Sequence, residues 1–344
     1  MLARKMKAYK LSRTGAPEVL QLQEVPVPKP GGNEILVKLI RTGVNYAEIL
    51  SRQGKYSWAP PRPYIPGMEG YGEVVEIGKD CKTSLRAGDK VIVGGQYGMY
   101  AEYAAVKSHL VFPAIDEFSI EENSATLVNY MTAWVALVRQ ARISKGDRVL
   151  IQAAAGGVGT AAVQIASRMG CEVFGTASRP EKLATIKDCG AKHAINYSTD
   201  DFAEYVRNQS GSVDVVLELV GGSVFRKSQE ILAPFGHIAV AGYASIPLQK
   251  WNPLSWYQTW KNAPRYATMD MAKNSHGLSA THIGYLTENP EIASKEWSSL
   301  RNFLITENIR PVVGKIFDFD ELPRAHRFME SRESVGKIII KSNG

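Results

Sequence analysis

Apolar positions change their rhythm twice along the chain. Up to residue 127 they come in short runs. The segments MKAYKLS and LQLQEVPVP read as strands, residues 34–45 (EILVKLIRTGVN) as a longer one, and GEVVEIG and GDKVIV as two more. Gly and Pro recur between them, at Gly54, Pro60, Pro61, Pro63, Pro66, Gly67 and Gly70. Many short strands with Gly-rich corners predict a closed or partly closed β-barrel.

From Ser119 the spacing becomes helical. Residues 119–141 open with Ser119 and, three positions on, Glu122, the pairing of a capping box. Strands predicted at 149–151, 172–177, 193–196, 213–219 and 237–241 then alternate with helices at 180–189, 200–209 and 222–233. That alternation predicts a doubly wound α/β fold on a parallel sheet. An amphipathic helix is expected over 296–309, followed by strand, helix and strand. The last strand is expected to return to the first domain.

The two patterns meet at VLIQAAAGGVG, residues 149–159. An apolar run enters a patch of very small residues, and a helical pattern from Thr160 to Met169 leaves it. Strand, tight turn and helix in that order place a dinucleotide pyrophosphate on backbone N–H groups at a helix N-terminus, where any side chain would stand in the way. The G-x-G-x-x-G spacing falls on Ala154, Gly156 and Gly159, so its first glycine is replaced. A second strand at the βαβ distance, CEVFGTA, supports the Rossmann reading.

Composition narrows the picture. A chain of 344 residues suggests two domains; at 44% hydrophobic and 22% charged it can bury a large core. Three widely spaced cysteines without a C-x-x-C indicate a reducing compartment. The start lacks an apolar signal region, and the most apolar stretch is broken by Gln152, Gln164 and three glycines, so a cytoplasmic protein is expected. The net charge of +7 is spread along the chain without a basic stripe, which argues against nucleic acid. Trp251, Trp256 and Trp260, with Lys250, Lys261, Arg265 and Lys273 nearby, form an aromatic basic segment. It fits a lid over a substrate site, a partner contact or an element lying on a membrane surface.

The cofactor type is read at the tip of the second strand. An NAD-specific turn carries Asp or Glu there, bonded to the ribose 2′-OH. This chain carries Ser178, Arg179 and Lys182, with Glu181 expected to point outward. Two cations suit a 2′-phosphate and therefore NADPH. A solvated basic surface turn would carry the same residues.

Several stretches together resemble one family: GVNYAEILSRQGKY, PGMEGYGEVVEIG, GDKV, TAW, QAAAGGVGTAAVQIA, INYSTDDF, LVGG and LPRAHRFMESRESVGKIII. In this order, over nearly the whole chain, they resemble the medium-chain dehydrogenases/reductases, and among them the zinc-free quinone oxidoreductases. The Trp-rich segment followed by HIGYL is similar to the vesicle-amine-transport-protein-like subgroup. The small turn matches the branch's A-x-x-G-x-x-G form on Ala153, Gly156 and Gly159.

The resemblance implies a GroES-like barrel over 1–127 and 307–344, a Rossmann domain over 128–306, and a homodimer. It implies cofactor contacts from Asn45, Thr132, Ala155, Gly156, Gly157, Val158, Tyr197, Val220, Gly242 and Tyr243, beside Ser178, Arg179 and Lys182. The zinc-dependent branch carries Cys near Asn45 and His at Met68, so no metal is expected; neither Asn nor Met suits a catalytic Zn²⁺. Without a Lewis acid, hydrogen-bond donors must hold the charge that hydride transfer leaves on the acceptor. The candidates are Asn45, Tyr46 and Tyr56, with Tyr46 equally suited to an aromatic wall, and Arg52 expected to form an ion pair with Glu48. The implied activity is NADPH-dependent reduction of a quinone, enone or alkenal. Reduction of a C=C bond is one alternative. Another is a non-catalytic nucleotide-binding protein that docks through the Trp-rich segment.

Overall fold

The computed structural model describes residues 5–242 and 265–342. Two units divide the chain: Met1–Val128 with Ile283–Gly344, and Asn129–His282.

In the first unit, β1 (Lys5–Leu11) and β2 (Leu20–Pro26) form an antiparallel pair. The main sheet holds β3 (Glu34–Val44), β4 (Glu69–Ile77), β5 (Lys90–Gly94), β6 (Tyr103–Lys107), β7 (Val111–Pro113), and the late strands β14 (Val313–Asp318) and β15 (Lys337–Lys341). Its order is β14-β15-β3-β4-β5-β7, with β6 also on β3. The length of β3 allows this: Glu34 to Lys38 pair with β6, and Arg41 to Val44 with β15. Ile338, Ile339 and Ile340 are wholly buried. A strand flanked on both sides reads as a continuous apolar run, not as an alternation. A seven-residue helix, α1 (Tyr46–Arg52), interrupts the β region immediately after β3.

The second unit is a six-stranded parallel sheet of order β10-β9-β8-β11-β12-β13. Its strands are β8 (Arg148–Ile151), β9 (Glu172–Ala177), β10 (His193–Asn196), β11 (Val213–Glu218), β12 (Leu232–Val240) and β13 (Gly277–Ala280). The order reverses between β8 and β11, so the carboxyl ends of those strands flank the switch point where such sheets take ligands.

Three expectations need correction. The helix over 119–141 has its capping box but is broken into Ile120–Ser124, Leu127–Trp134 and a π-helical stretch Val135–Gln140. Ser124 and Thr126 donate their hydroxyls back to the carbonyls of Ile120 (2.7 Å) and Glu122 (2.6 Å), and Asn123 bonds the backbone of Ile115; such local bonds compete with the helix ladder. The helix expected at 296 begins at Pro290, because Asn289 caps it and Pro suits the first turn. That helix falls in the unit Met1–Val128 with Ile283–Gly344; Trp297 stacks on Phe112 (4.9 Å between centroids). The strand expected at 237–241 begins at Leu232, and the sheet gains β13, whose four small or part-polar residues GLSA are too short a run to stand out.

Candidate active site

The phosphate turn leaves β8 at Gln152 and enters the helix Gly157–Arg168 with Gly156 as its N-cap. Ala153 adopts φ +49°, so the left-handed position of this turn falls on a residue with a Cβ. Its N–H donates to Thr176 Oγ1 (3.2 Å), and Ala154 N–H donates to the Thr176 carbonyl (2.9 Å), which ties the turn to β9. The glycines differ in what requires them. A Cβ on Gly159 would stand 2.4 Å from the Ala153 carbonyl oxygen, and one on Gly157 2.3 Å from Asn129 Nδ2. A Cβ on Gly156 would meet only the Ala153 carbonyl oxygen, at 3.4 Å. Packing therefore fixes Gly157 and Gly159 but leaves Gly156 open. Ala155 is buried, and Gly156, Gly157 and Val158 are partly exposed.

At the tip of β9, Arg179 caps the next helix, Pro180–Asp188, with its side chain exposed. Tyr197 N–H donates to the Ala177 carbonyl (3.0 Å), and Ser198 Oγ to the Ser178 carbonyl (3.4 Å). These bonds bring the Tyr197 turn beside Ala177 and Ser178 at the end of β9. Glu181 is exposed.

Past β11, Val220 and Gly221 donate their N–H groups to Glu218 Oε1 (2.7 and 2.9 Å). Gly242 follows β12, and a Cβ there would press on the Leu219 carbonyl oxygen at 2.9 Å. Thr132 is buried on Leu127–Trp134. Tyr243 and the tryptophans Trp251, Trp256 and Trp260 lie outside the described residues.

In the first unit Asn45 caps α1 and is buried. Its Nδ2 donates to Glu69 Oε1 (3.1 Å) and its Oδ1 accepts from Lys337 Nζ (2.6 Å). Lys337 also pairs with Glu69, and both are about as buried as side chains can be, at 1% exposed. Glu69 Oε2 accepts the Val128 N–H (2.9 Å). Gly43 makes the room: a Cβ there would stand 2.4 Å from Lys337 Cε. A second buried cluster adjoins this one. Glu48 accepts from the N–H groups of Asn45 (2.9 Å) and Met68 (2.7 Å) and from the Tyr100 hydroxyl, which His326 Nε2 meets at 3.3 Å. Arg52 does not pair with Glu48; its guanidinium reaches Glu330 (2.6 Å) and the Gly15 carbonyl (2.7 Å), because Glu48 turns inward on the helix it shares with Arg52.

Tyr46 is 41% exposed, which fits a side chain presented outward, whereas Asn45 has one amide oxygen and one amide hydrogen already committed. Tyr56 packs edge-on against Trp58 (6.4 Å), and Trp58 against Tyr285 (5.9 Å). Burial raises the pKa of both Tyr46 and Tyr56, with Tyr285 and Glu48 adding to the second. Both phenols are thus protonated at neutral pH and act as hydrogen-bond donors more readily than as acids.

Burial pushes Glu48 up to about 7, although its Tyr100 and backbone hydrogen bonds pull the other way. Burial, with Arg52 behind it, pushes His326 down to about 3. The signs oppose. Folded Glu48 keeps its proton longer than the unfolded side chain, so its contribution to stability is complete below pH 4.5 and is lost as pH rises to about 7. The contribution of His326 is complete above pH 6.5 and is lost as pH falls toward 3. Between pH 4.5 and 6.5 the two partly cancel. Glu48→Gln removes the first, so the unfolding free energy of this variant, read by urea denaturation, should gain on wild type by about 1–3 kcal/mol from pH 4.5 to 7. Parallel pH profiles would contradict the assignment.

Sequence reasoning missed Lys337, Tyr100, His326, Gln152 and Glu218. Only Lys337 left a trace, as a charge against the III run of a strand.

Among the described residues no group of His, Cys, Asp and Glu could hold a metal ion, and no helix is long and apolar enough to cross a membrane. Two family models match the chain, the alcohol dehydrogenase GroES-like domain over 31–116 and the zinc-binding dehydrogenase over 157–275. The rat synaptic vesicle membrane protein VAT-1 homolog is 32% identical, over 97% of this chain and 84% of its own length. The quinone oxidoreductase of Thermus thermophilus, solved alone and in complex with NADPH, is 32% identical with a TM-score of 0.79, over 98% of this chain and 100% of that one. The CurK enoyl reductase is 26% identical with a TM-score of 0.83, over 99% of this chain and 100% of that one. With its barrel, its parallel sheet and a 32% identical relative that matches it over 97% of its length, the chain belongs to the medium-chain dehydrogenase/reductase superfamily, in the branch of the quinone oxidoreductases and VAT-1 homologues.

Proposed function

We propose that the protein is an NADPH-dependent reductase that delivers a hydride to a quinone or another conjugated carbonyl without a metal. The observation that carries this reading is Gly156. It is glycine at a position where the protein's own packing leaves space for a Cβ, on the helix N-terminus at the switch point of the sheet. A pyrophosphate approaching the backbone accounts for that choice. Bound NADPH supplies the hydride. Ala155, Gly156, Gly157 and Val158 offer the pyrophosphate their backbone, and Ser178, Arg179, Lys182 and Tyr197 hold the 2′-phosphate. Thr132, Val220 and Gly242 border the nicotinamide. Asn45, Tyr46 and Tyr56 donate hydrogen bonds to the acceptor oxygen as charge builds on it.

Metal independence rests on the donor set. The oxygens of Asn45 and Glu69 both bond the Lys337 ammonium, and that buried cation repels a second one from the same oxygens. Reduction of a C=C bond conjugated to a carbonyl uses the same donors, and the likeness to an enoyl reductase keeps that acceptor class beside the quinones.

An NADPH-oxidation screen over quinones, enones and alkenals, with products identified, tests the reading; the absence of turnover on all three classes would sink it. Cofactor choice has its own test. Arg179→Ala combined with Lys182→Ala should raise KM for NADPH by roughly 10–100-fold and leave KM for NADH nearly unchanged. An unaltered preference would remove these cations from the 2′-phosphate site.

A further inference from the structure

At the carboxyl edge of the parallel sheet, a line of buried side chains runs from the phosphate turn to the turn after β11. Thr176 Oγ1 accepts the Ala153 N–H (3.2 Å) and donates to Gln152 Oε1 (2.7 Å). Gln152 Nε2 donates to Ser228 Oγ (3.3 Å), and Ser228 Oγ donates to Glu218 Oε2 (3.3 Å). The other oxygen, Oε1, accepts the N–H groups of Val220 and Gly221. Each of the four side chains is at most 2% exposed.

The carboxylate sets the direction of every bond. A carboxylate only accepts, so Ser228 must donate to it. Ser228 then has only lone pairs for Gln152, which must turn its amino group toward the serine and its oxygen toward Thr176. Thr176 must donate to that oxygen, and one of its two lone pairs accepts the Ala153 N–H. Ala153 is the residue held at φ +49°, a conformation that a residue with a Cβ keeps only when its surroundings fix it. Among the described residues no cation pairs with Glu218. Burial raises its pKa while the N–H groups of Val220 and Gly221 and the Ser228 hydroxyl pull it down, and in its ionised form it cannot be replaced by a group that donates.

We propose that Glu218 is a positioning residue for the dinucleotide: through Ser228, Gln152 and Thr176 it fixes the Ala153 turn, and through its other oxygen it fixes the Val220–Gly221 turn. The inference rests on the NADPH reading above and deepens it. One buried carboxylate sets the turn assigned to the pyrophosphate and the turn assigned to the nicotinamide end. Arg179 and Lys182, the cations assigned to the adenosine 2′-phosphate, are not members of this line, which ends on β9 at Thr176. Glu218→Gln presents an amino group either to the two backbone N–H groups, which breaks the bonds of the Val220–Gly221 turn, or to Ser228, which reverses the donor order of the line to Thr176. Ser228→Ala cuts the line to the Ala153 turn and leaves the Val220–Gly221 turn held.

The test is fluorescence titration of the full chain with NADPH and with adenosine 2′,5′-bisphosphate, together with thermal melts and kinetics. The expected result is a loss of NADPH affinity of roughly tenfold or more in Glu218→Gln and a smaller loss, of about threefold, in Ser228→Ala. Affinity for the bisphosphate should stay within about twofold in both, and kcat at saturating NADPH should fall less than kcat/KM. NADPH affinity within about twofold of wild type in both variants would overturn the proposal. So would equal losses for the two ligands accompanying a fall in Tm, which a merely structural role would give. If Glu218→Gln does not fold, Ser228→Ala, which deletes one hydroxyl, decides by the same criteria. A wild-type chain that binds the bisphosphate but not NADPH overturns the proposal and the reading beneath it, whereas tight wild-type binding with unaffected variants overturns the proposal alone.

Discussion

Lys337→Met should destabilise the barrel unit by about 3–5 kcal/mol, the cost of leaving a buried charge uncompensated. The Lys337 ammonium is the cation that Glu69 meets in the interior, and both side chains are sealed from water. With methionine there, Glu69 keeps only the donors of Asn45 and Val128, both neutral. Asn45 also loses the partner that orients its oxygen, so turnover should fall together with stability. Lys337→Met combined with Glu69→Gln should recover much of the loss, because a neutral amide costs less to bury than an unpaired carboxylate. Urea denaturation of the two variants makes the comparison. A single variant within about 1 kcal/mol of wild type would show that the ammonium does not hold Glu69.

The second large effect separates two glycines three residues apart. In Gly159→Ala the new methyl would lie 2.4 Å from the Ala153 carbonyl oxygen and 2.6 Å from Ala154 Cα, both backbone atoms. The turn has to move, at a cost of about 1–3 kcal/mol and with NADPH affinity down by roughly 100-fold or more. Gly156→Ala meets only one atom, at 3.4 Å, and Gly156 has φ −76° and ψ 173°, which alanine adopts freely. Its stability should stay within about 0.5 kcal/mol of wild type, while NADPH affinity falls by roughly tenfold or more because the methyl occupies the pyrophosphate's approach. Thermal melts paired with fluorescence titration read both quantities. Unchanged NADPH affinity in Gly156→Ala would remove the observation on which the proposed function rests.

Much of the architecture is legible in the chain because its signals are local. The small residues 153–159 fall between an apolar run and a helical pattern, and both their spacing and their order with CEVFGTA announce a βαβ unit. Asn45 and Met68 stand where the zinc-dependent branch carries Cys and His, which only the resemblance to the family reveals. Boundaries were less legible. Asn123, Ser124 and Thr126 break an otherwise helical stretch through side-chain bonds whose partners the spacing does not reveal. The helix Pro290–Thr306 joins the first unit because Trp297 finds Phe112, 185 positions earlier in the chain, and no periodicity encodes that pairing.

The sequence by itself determined the order of the elements, the small turn at 153–159 and the basic tip at Arg179 and Lys182, since each depends on neighbours a few residues apart. Tertiary structure alone decided what surrounds the reactive candidates. Lys337 lies 292 positions from Asn45, and His326 226 positions from Tyr100. Glu218, Ser228, Gln152 and Thr176 converge only when four separate elements close on one edge of the sheet. A buried charge or amide must find its partner wherever the chain folds back, and the requirement that it be paired is satisfied in space and leaves no fixed interval in sequence.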